Sequence, residues 1–462
     1  MALRLFNTLG RKKQYFEPLK GKHVGFYSCG PTVYWYQHIG NLRTYIFNDI
    51  LKRVLLYEGF KVRHVMNVTD VGHLTSDADA GEDKMEKAAK KEGKRAADIA
   101  KFYLKVFRDD FKKLNIIEPD IWCKATEHIA EQIEIIKKLE KKGFTYGTGD
   151  GIYFDTSKLA DYGKLGLINA EGLEAGKRVE LGEKRNKTDF ALWKFSGIPG
   201  KRQQEWESPW GIGFPGWHIE CSAMSSKYLG EQFDIHTGGE DHIQVHHTNE
   251  IAQSESAFGK KPWVKYWMHG AFLTFRGEKV SKSTGGLFTI SDLEKKGFEP
   301  LDYRYLCLNT HYRKQLNFSL EVLEGARNSY QKLKNIILEL KSSSESKKTE
   351  NYDSYKKRFQ ECIDDDFNMP ESLGIMWETL RDANLGAKEK YELVMDFDRV
   401  FGLGLDKVQE DKAPAEILKL IEQRQNAKKE KDFKKSDEIR NKISEKGYLI
   451  EDTVQGPRIR KR

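Results

Sequence analysis

Between Gly216 and Glu250 the chain reads GWHIECSAMSSKYLGEQFDIHTGGEDHIQVHHTNE, with one cysteine, Cys221, and five histidines. These are His218, His236, His242, His246 and His247, five of only twelve in 462 residues. His246 and Glu250 stand four apart, which on a helix puts both side chains on one face, a turn from each other. Thiolate, imidazole and carboxylate are all zinc donors, and a zinc site needs three or four of them. The same residues also suit a buried thiol beside a polar helix whose histidines are satisfied. The window alone leaves both readings open.

Two other stretches could handle phosphate. His38-Ile39-Gly40-Asn41 follows an apolar strand-like run, KHVGFYSC (22–29), and opens a helical stripe with apolar residues at 42, 46, 50, 54 and 57. A helix starting there presents free N–H groups and a positive dipole end to an anion. FRGEKVSKSTGG (275–286) surrounds Lys279 and Lys282 with glycines and hydroxyls and has no apolar periodicity. It is expected to be a mobile loop, and paired ammonium groups suit a triphosphate. Alone, each pattern also fits an ordinary turn or a solvated basic loop.

The elements that must position these residues follow from periodicity. Strand 22–29, helix 42–57 and strand 61–70 make a βαβ unit of a parallel nucleotide-binding sheet. AADIAKFYLKVFRDDFKKL (96–114) has helical spacing, and 125–200 looks inserted, with a helix over 127–142 and strands in GTGDGIYFDTS and DFALWKFS. Parallel strands resume at FDIHTGG (233–239) and KYWMHGAF (265–272). Helix is expected over 301–308 and 316–341, a linker over 341–351, more helices over 352–405, and a terminal hairpin after a charged helix or helix pair in 418–447.

Composition sets the wider limits. The chain is too long for one core, and 39% hydrophobic with 32% charged residues suits a soluble globular protein. No apolar run of membrane-spanning length occurs, and the N-terminus lacks a signal-peptide apolar core, so no membrane association and a cytoplasmic location are expected. Five scattered cysteines with no CxxC pair fit a reducing compartment. Net charge is +8, and residues 411–462 carry fifteen Lys/Arg against ten Asp/Glu. A basic tail suits a polyanion partner.

Taken together, HIGN (38–41), KVSKS (279–283) and the helical module behind them resemble class I aminoacyl-tRNA synthetases. Over nearly the whole length the chain is similar to the cysteinyl-tRNA synthetase family, through YSCGPTVYWYQHIGNLR (27–43), FPGWHIECSAM (214–224), DIHTGGEDHIQVHHTNEIAQSE (234–255), DDDFNMPESL (364–373) and the end from 437 to 462. The resemblance implies an α/β fold, a Rossmann-like parallel sheet with an inserted connective domain, followed by an α-helical anticodon-binding module. The implied divisions are 1–124 and 201–272 for the two catalytic halves, 125–200 for the insert, and 273–340 for the KVSKS loop and stem-contact helices. A helical tRNA-binding bundle over 352–405 and a basic anticodon-binding segment over 411–462 complete the chain.

The resemblance also implies a reaction and a site. L-Cysteine is activated with Mg-ATP to an adenylate and transferred to the 3′ end of tRNA-Cys by a monomer. One Zn²⁺ is held by Cys29, Cys221, His246 and Glu250. His38, Gly40 and Asn41 receive ATP, with Lys282 and Lys279 on the triphosphate and Gly238, Gly239 and Asp241 at the adenosine. Trp217, Thr32, His218 and His236 line the cysteine pocket, with His247 nearby; His242 is not expected to be a ligand. The chain departs from the family pattern at Val280 and at Thr248. It departs again over VGHLTSDADAGEDKM (71–85), which leaves the role of Asp70 open. Asn41 differs from the class signature but is common in this family. Two rivals share many of these residues: a cysteine ligase acting on an amino sugar, and a non-catalytic tRNA-binding paralogue.

Overall fold

The computed structural model describes residues 2–72, 84–168, 183–275, 278–279, 287–341, 350–409, 414–453 and 456–461. Its centre is a five-stranded sheet built from β1 (His23–Ser28), β2 (Lys61–Val68), β3 (Ile121–Lys124), β4 (Phe233–Gly239) and β5 (Val264–Gly270). All neighbours pair in parallel, in the order β5-β4-β1-β2-β3. The order reverses between β1 and β4, which makes the C-terminal ends of those two strands the crevice where such sheets bind ligands.

Both faces are covered, so the strands are apolar almost throughout. Phe26, Met66, Ile235 and Met268 face α1 (Ile39–Tyr57). Tyr27, Val65, Phe233 and Trp267 face α4 (Trp217–Leu229) and α5 (His246–Phe258). Between β2 and β3 the chain forms α2 (Lys84–Glu92) and α3 (Ala96–Lys113). α1 begins three residues before the expected apolar stripe and is buried on more than one face. The sheet covers one side, and helices Pro300–Leu308 and Ala387–Phe401 cover another, in one continuous core.

A helix, Ile129–Lys141, and a four-stranded antiparallel sheet interrupt the parallel fold. The strands are Thr145–Thr148, Gly151–Phe154, Phe190–Phe195 and Gly213–Pro215, the last lying beyond residue 200. Their core includes Ile219 and Ala223 of α4 and Ala252 and Ala257 of α5, so the insert stands directly on the helices that carry the histidine-rich window.

After the sheet, the expected helix over 316–341 is corrected at its start. Leu316–Phe318 is a strand pairing in parallel with Leu273–Phe275, and the helix runs Leu320–Lys341. Leu316 and Phe318 are buried and Asn317 is exposed, an alternation that serves a strand. Helices Glu350–Asp364, Met369–Arg381 and Ala387–Phe401 follow. Most of the expected linker, 342–349, lies outside the described residues. Arg304, fully buried, joins the two halves: it donates to Asp49 of α1 at 2.5 Å, to the Phe401 carbonyl at 2.7 Å and to the Leu114 carbonyl at 3.0 Å. The last unit packs helices Ala415–Lys429 and Phe433–Glu445 under the expected hairpin, Tyr448–Thr453 with Gly456–Lys461. Among the described residues no helix is long and apolar enough to cross a membrane.

Candidate metal and nucleotide site

Cys29 is the first residue past β1, and its N–H donates to the Thr237 carbonyl of β4 at 3.1 Å. It therefore stands at the switch point. Gly30 follows with its N–H on Asn67 Oδ1 at 2.7 Å. A Cβ on Gly30 would come 1.7 Å from the Asn67 carbonyl oxygen, so glycine is needed for the chain to leave the sheet here. Cys221 lies on α4, His246 opens α5, and Glu250 is one turn further on.

These donors converge in a buried pocket. Cys221 Sγ is 3.6 Å from His246 Nε2, and His246 Nε2 is 2.9 Å from Glu250 Oε1. Cys29 Sγ is 3.2 Å from His247 Nε2, which is 3.9 Å from Glu250 Oε1. Cys29, His246, His247 and Glu250 can each place one ligand atom within 4.8 Å of the others, and all four are buried. This set takes His247 where the sequence points to Cys221, whose thiol borders it through His246. Donor atoms 3–4 Å apart are edges of a tetrahedron with bonds of about 2.0–2.3 Å. Glu250 Oε1 accepts no well-aligned hydrogen bond although the carboxylate is fully buried, which suits a cation at the point of convergence.

The ring nitrogens turned away from the pocket are held by partners. His246 Nδ1 meets His218 Nδ1 at 3.0 Å. His247 Nδ1 meets His269 Nε2 at 2.8 Å, and His269 Nδ1 meets Thr8 Oγ1 at 2.8 Å. His236 Nε2 bonds the other Glu250 oxygen at 2.8 Å. Trp217 stacks on His246 with centroids 4.2 Å apart, and Trp267 stacks on His236 at 4.6 Å. Such orienting contacts fix tautomer and ring plane around a metal. Gly238 is packed against this group: a Cβ there would lie 2.7 Å from both the His242 and His247 rings.

The buried thiols, rings and carboxylate shift one another's protonation. Burial pushes the Cys29 thiol up, yet its hydrogen bond from Cys221 and the His247, His242 and His246 rings hold it well below the usual range. Burial and the Cys29 and Glu250 charges push Cys221 well above it. Burial lowers His246, but Glu250 and Cys29 outweigh it and raise the ring to about 10. Burial raises Glu250, and His236 and His246 bring it below the usual carboxylate range.

The residues expected to receive nucleotide lie at the start of α1 and the end of β4. His38 precedes the first turn of α1, and Asn41 Oδ1 accepts from its N–H at 3.3 Å, closing the helix start. Gly40 is the second residue of α1. Gly239 ends β4, and Asp241 is exposed in the turn after it. Thr32 bridges to Thr69 beside the β2 exit. Lys279 belongs to a short strand, Glu278–Lys279, paired with Thr274 and Phe275, whereas Lys282 lies outside the described residues. The sequence reading named neither His269 nor Thr8. His269 could have been marked from its register, opposite Gly238; Thr8 carries no such signal.

A parallel sheet with this switch point, Cys29 past the end of β1 and a helix starting beyond it, fits the class I aminoacyl-tRNA synthetases. The family model of class I (C) tRNA synthetase catalytic domains matches residues 15–328, and that of DALR domains matches 358–402. A structure of Mycobacterium tuberculosis methionyl-tRNA synthetase with methionyl-adenylate shares the fold, with TM-score 0.60 at 15% identity over 83% of this chain and 92% of that one. Cysteine–tRNA ligase 1 of Burkholderia lata is 49% identical over 99% of this chain and 97% of its own length. The ligase of Treponema denticola is 47% identical over 98% of each. The chain belongs to the cysteine–tRNA ligase family.

Proposed function

We propose that the chain activates L-cysteine with Mg-ATP and transfers it to the 3′ end of tRNA-Cys, with Zn²⁺ held by Cys29, Cys221, His246 and Glu250. The observation that carries this is the convergence of thiol, Nε2 and carboxylate donors in a buried pocket at the β1/β4 switch point. When bound, a soft zinc ion supplies a preference for the substrate sulfur over a serine hydroxyl, a distinction that an apolar pocket makes only about 10- to 200-fold. His247 is the competing fourth donor, since its ring nitrogen lies within 4.8 Å of the Cys29, His246 and Glu250 donor atoms; the two assignments give opposite results when Cys221 and His247 are exchanged in turn.

The rest of the chemistry is positioning. The start of α1, with His38, Gly40 and Asn41, receives the phosphates at the positive end of the helix dipole. Lys282, with Lys279, neutralises the charge that develops as the cysteine carboxylate attacks the α-phosphorus and pyrophosphate leaves. Gly238, Gly239 and Asp241 lie against the adenosine, and Trp217, Thr32, His218 and His236 surround the amino acid. No side-chain nucleophile is required. Five free, buried thiols suit the reducing cytoplasm, and the reading is of a monomer.

Metal content and cysteine-dependent exchange of pyrophosphate into ATP test the proposal. One zinc per chain with exchange that requires cysteine is expected, and absence of exchange overturns the reading. Charging of tRNA rather than of an amino sugar separates the two ligases.

A further inference from the structure

The turn that joins β1 to α1 carries an aromatic surface that the site above does not use. Trp35, Tyr36 and Phe102 are 47, 40 and 44% exposed, although large aromatic side chains are normally covered. They form one cluster on the buried Tyr103. Tyr36 meets Tyr103 edge-on at 5.0 Å, Phe102 meets Tyr103 at 5.1 Å, and Trp35 meets Tyr36 at 5.6 Å and Tyr103 at 5.9 Å. Lys91 Nζ lies 5.2 Å from the Trp35 ring centre and Lys94 Nζ 5.6 Å from that of Phe102. Residues 85–105, which supply this rim, carry seven Lys/Arg against three Asp/Glu.

We infer that this surface holds the unpaired 3′ nucleotides of the tRNA as they enter the site, an inference that rests on reading the chain as a tRNA ligase. Unstacked bases bind on exposed aromatic faces, and their phosphates bind on neighbouring ammonium groups. Trp35 is three residues before His38, and Thr32 of the same turn bridges to Thr69 at the β2 exit, so the patch belongs to the turn that leads from the sheet's crevice into α1. An apolar protein helix would have to strip water from Lys91 and Lys94. A polyanion instead gains from them.

The test compares the full chain with Trp35→Ala/Phe102→Ala, Lys91→Ala/Lys94→Ala and Trp35→Phe, reading cysteine-dependent pyrophosphate exchange and tRNA charging side by side. A second reading is affinity for an RNA hairpin with an unpaired 3′ tail against the same hairpin blunt-ended. The aromatic double variant is expected to keep wild-type exchange and to lose about ten- to hundredfold in kcat/KM for tRNA, along with most of the preference for the tailed hairpin. Trp35→Phe keeps a ring and should retain most of both. The lysine pair should weaken tailed-RNA binding and flatten its salt dependence. Unchanged charging and tail preference in the aromatic double variant overturn the inference and leave the patch to a protein partner. A parallel fall in exchange also overturns it, since the rings would then serve ATP or cysteine. If the wild-type chain itself neither exchanges nor charges, the ligase reading fails instead.

Discussion

Cys29 Sγ lies 3.2 Å from Nε2 of His247, although 218 residues separate them. The contact exists because β1 and β4 are neighbours, so that the residue leaving one strand faces the helix that follows the other. Cys29→Ser and Cys221→Ser should each lose bound zinc and narrow the discrimination of cysteine from serine toward the about 10- to 200-fold of an ordinary pocket. Metal analysis and exchange with each amino acid read both effects. His247→Gln should keep zinc if Cys221 is the ligand; a metal-free His247→Gln with a metal-loaded Cys221→Ser reverses the assignment.

The chain Thr8–His269–His247 ends on the same thiol. His269→Ala removes the partner of His247 Nδ1, and where His247 is the fourth donor a contact of this kind is worth about 10- to 100-fold in metal affinity. Competition with a chelator should show a loss of that size, with His269→Gln recovering part of it. Unaltered affinity in the alanine variant would leave the chain with a packing role only.

Arg304 and Asp49 are both fully buried, and Asp49 also accepts from Arg53 at 2.8 Å. Arg304→Met leaves the buried carboxylate with only Arg53 and the Ile117 N–H as partners and frees the Phe401 and Leu114 carbonyls. A loss of about 3–5 kcal/mol in urea unfolding is expected. Adding Asp49→Asn to that variant should restore part of it, because the stranded charge is gone.

Burial raises the Asp110 carboxyl on α3 to about 7, with Lys113 opposing and Glu294 and Asp109 reinforcing. The native state therefore holds a proton that the unfolded chain releases near pH 4, and stability falls as pH rises from about 4 to 7. Asp110→Asn removes this slope and should be the more stable form at pH 8, by up to about 4 kcal/mol. At pH 4 the two should melt alike. Thermal unfolding across that range reads the difference, and a parallel pH dependence in both proteins would refute it.

Much of the fold could be read locally. FDIHTGG becomes β4 over the whole expected 233–239 range, and the strand at 61 and the helix over 96–114 also form. Their apolar spacing matches one structural period, and nothing at long range opposes it. Leu316–Phe318 escaped because three residues at the front of a helical run carry no period of their own; their partner, Leu273–Phe275, lies some forty residues upstream. His269 escaped for a related reason. Its side chain reads as one more member of a buried strand until β5 is laid beside β4.

By itself the sequence determined the donor types, their spacing within the 216–250 window, the helix start at His38 and the parallel character of the sheet, since all of these are set by residue chemistry and short-range period. Only the tertiary structure decided which histidine nitrogens face the thiols and which are held by His218 and His269. It also brought His247 Nε2 within 3.2 Å of the Cys29 thiol. A ring's direction depends on what packs against its far edge, and here that edge is supplied by residues as distant in the chain as Thr8.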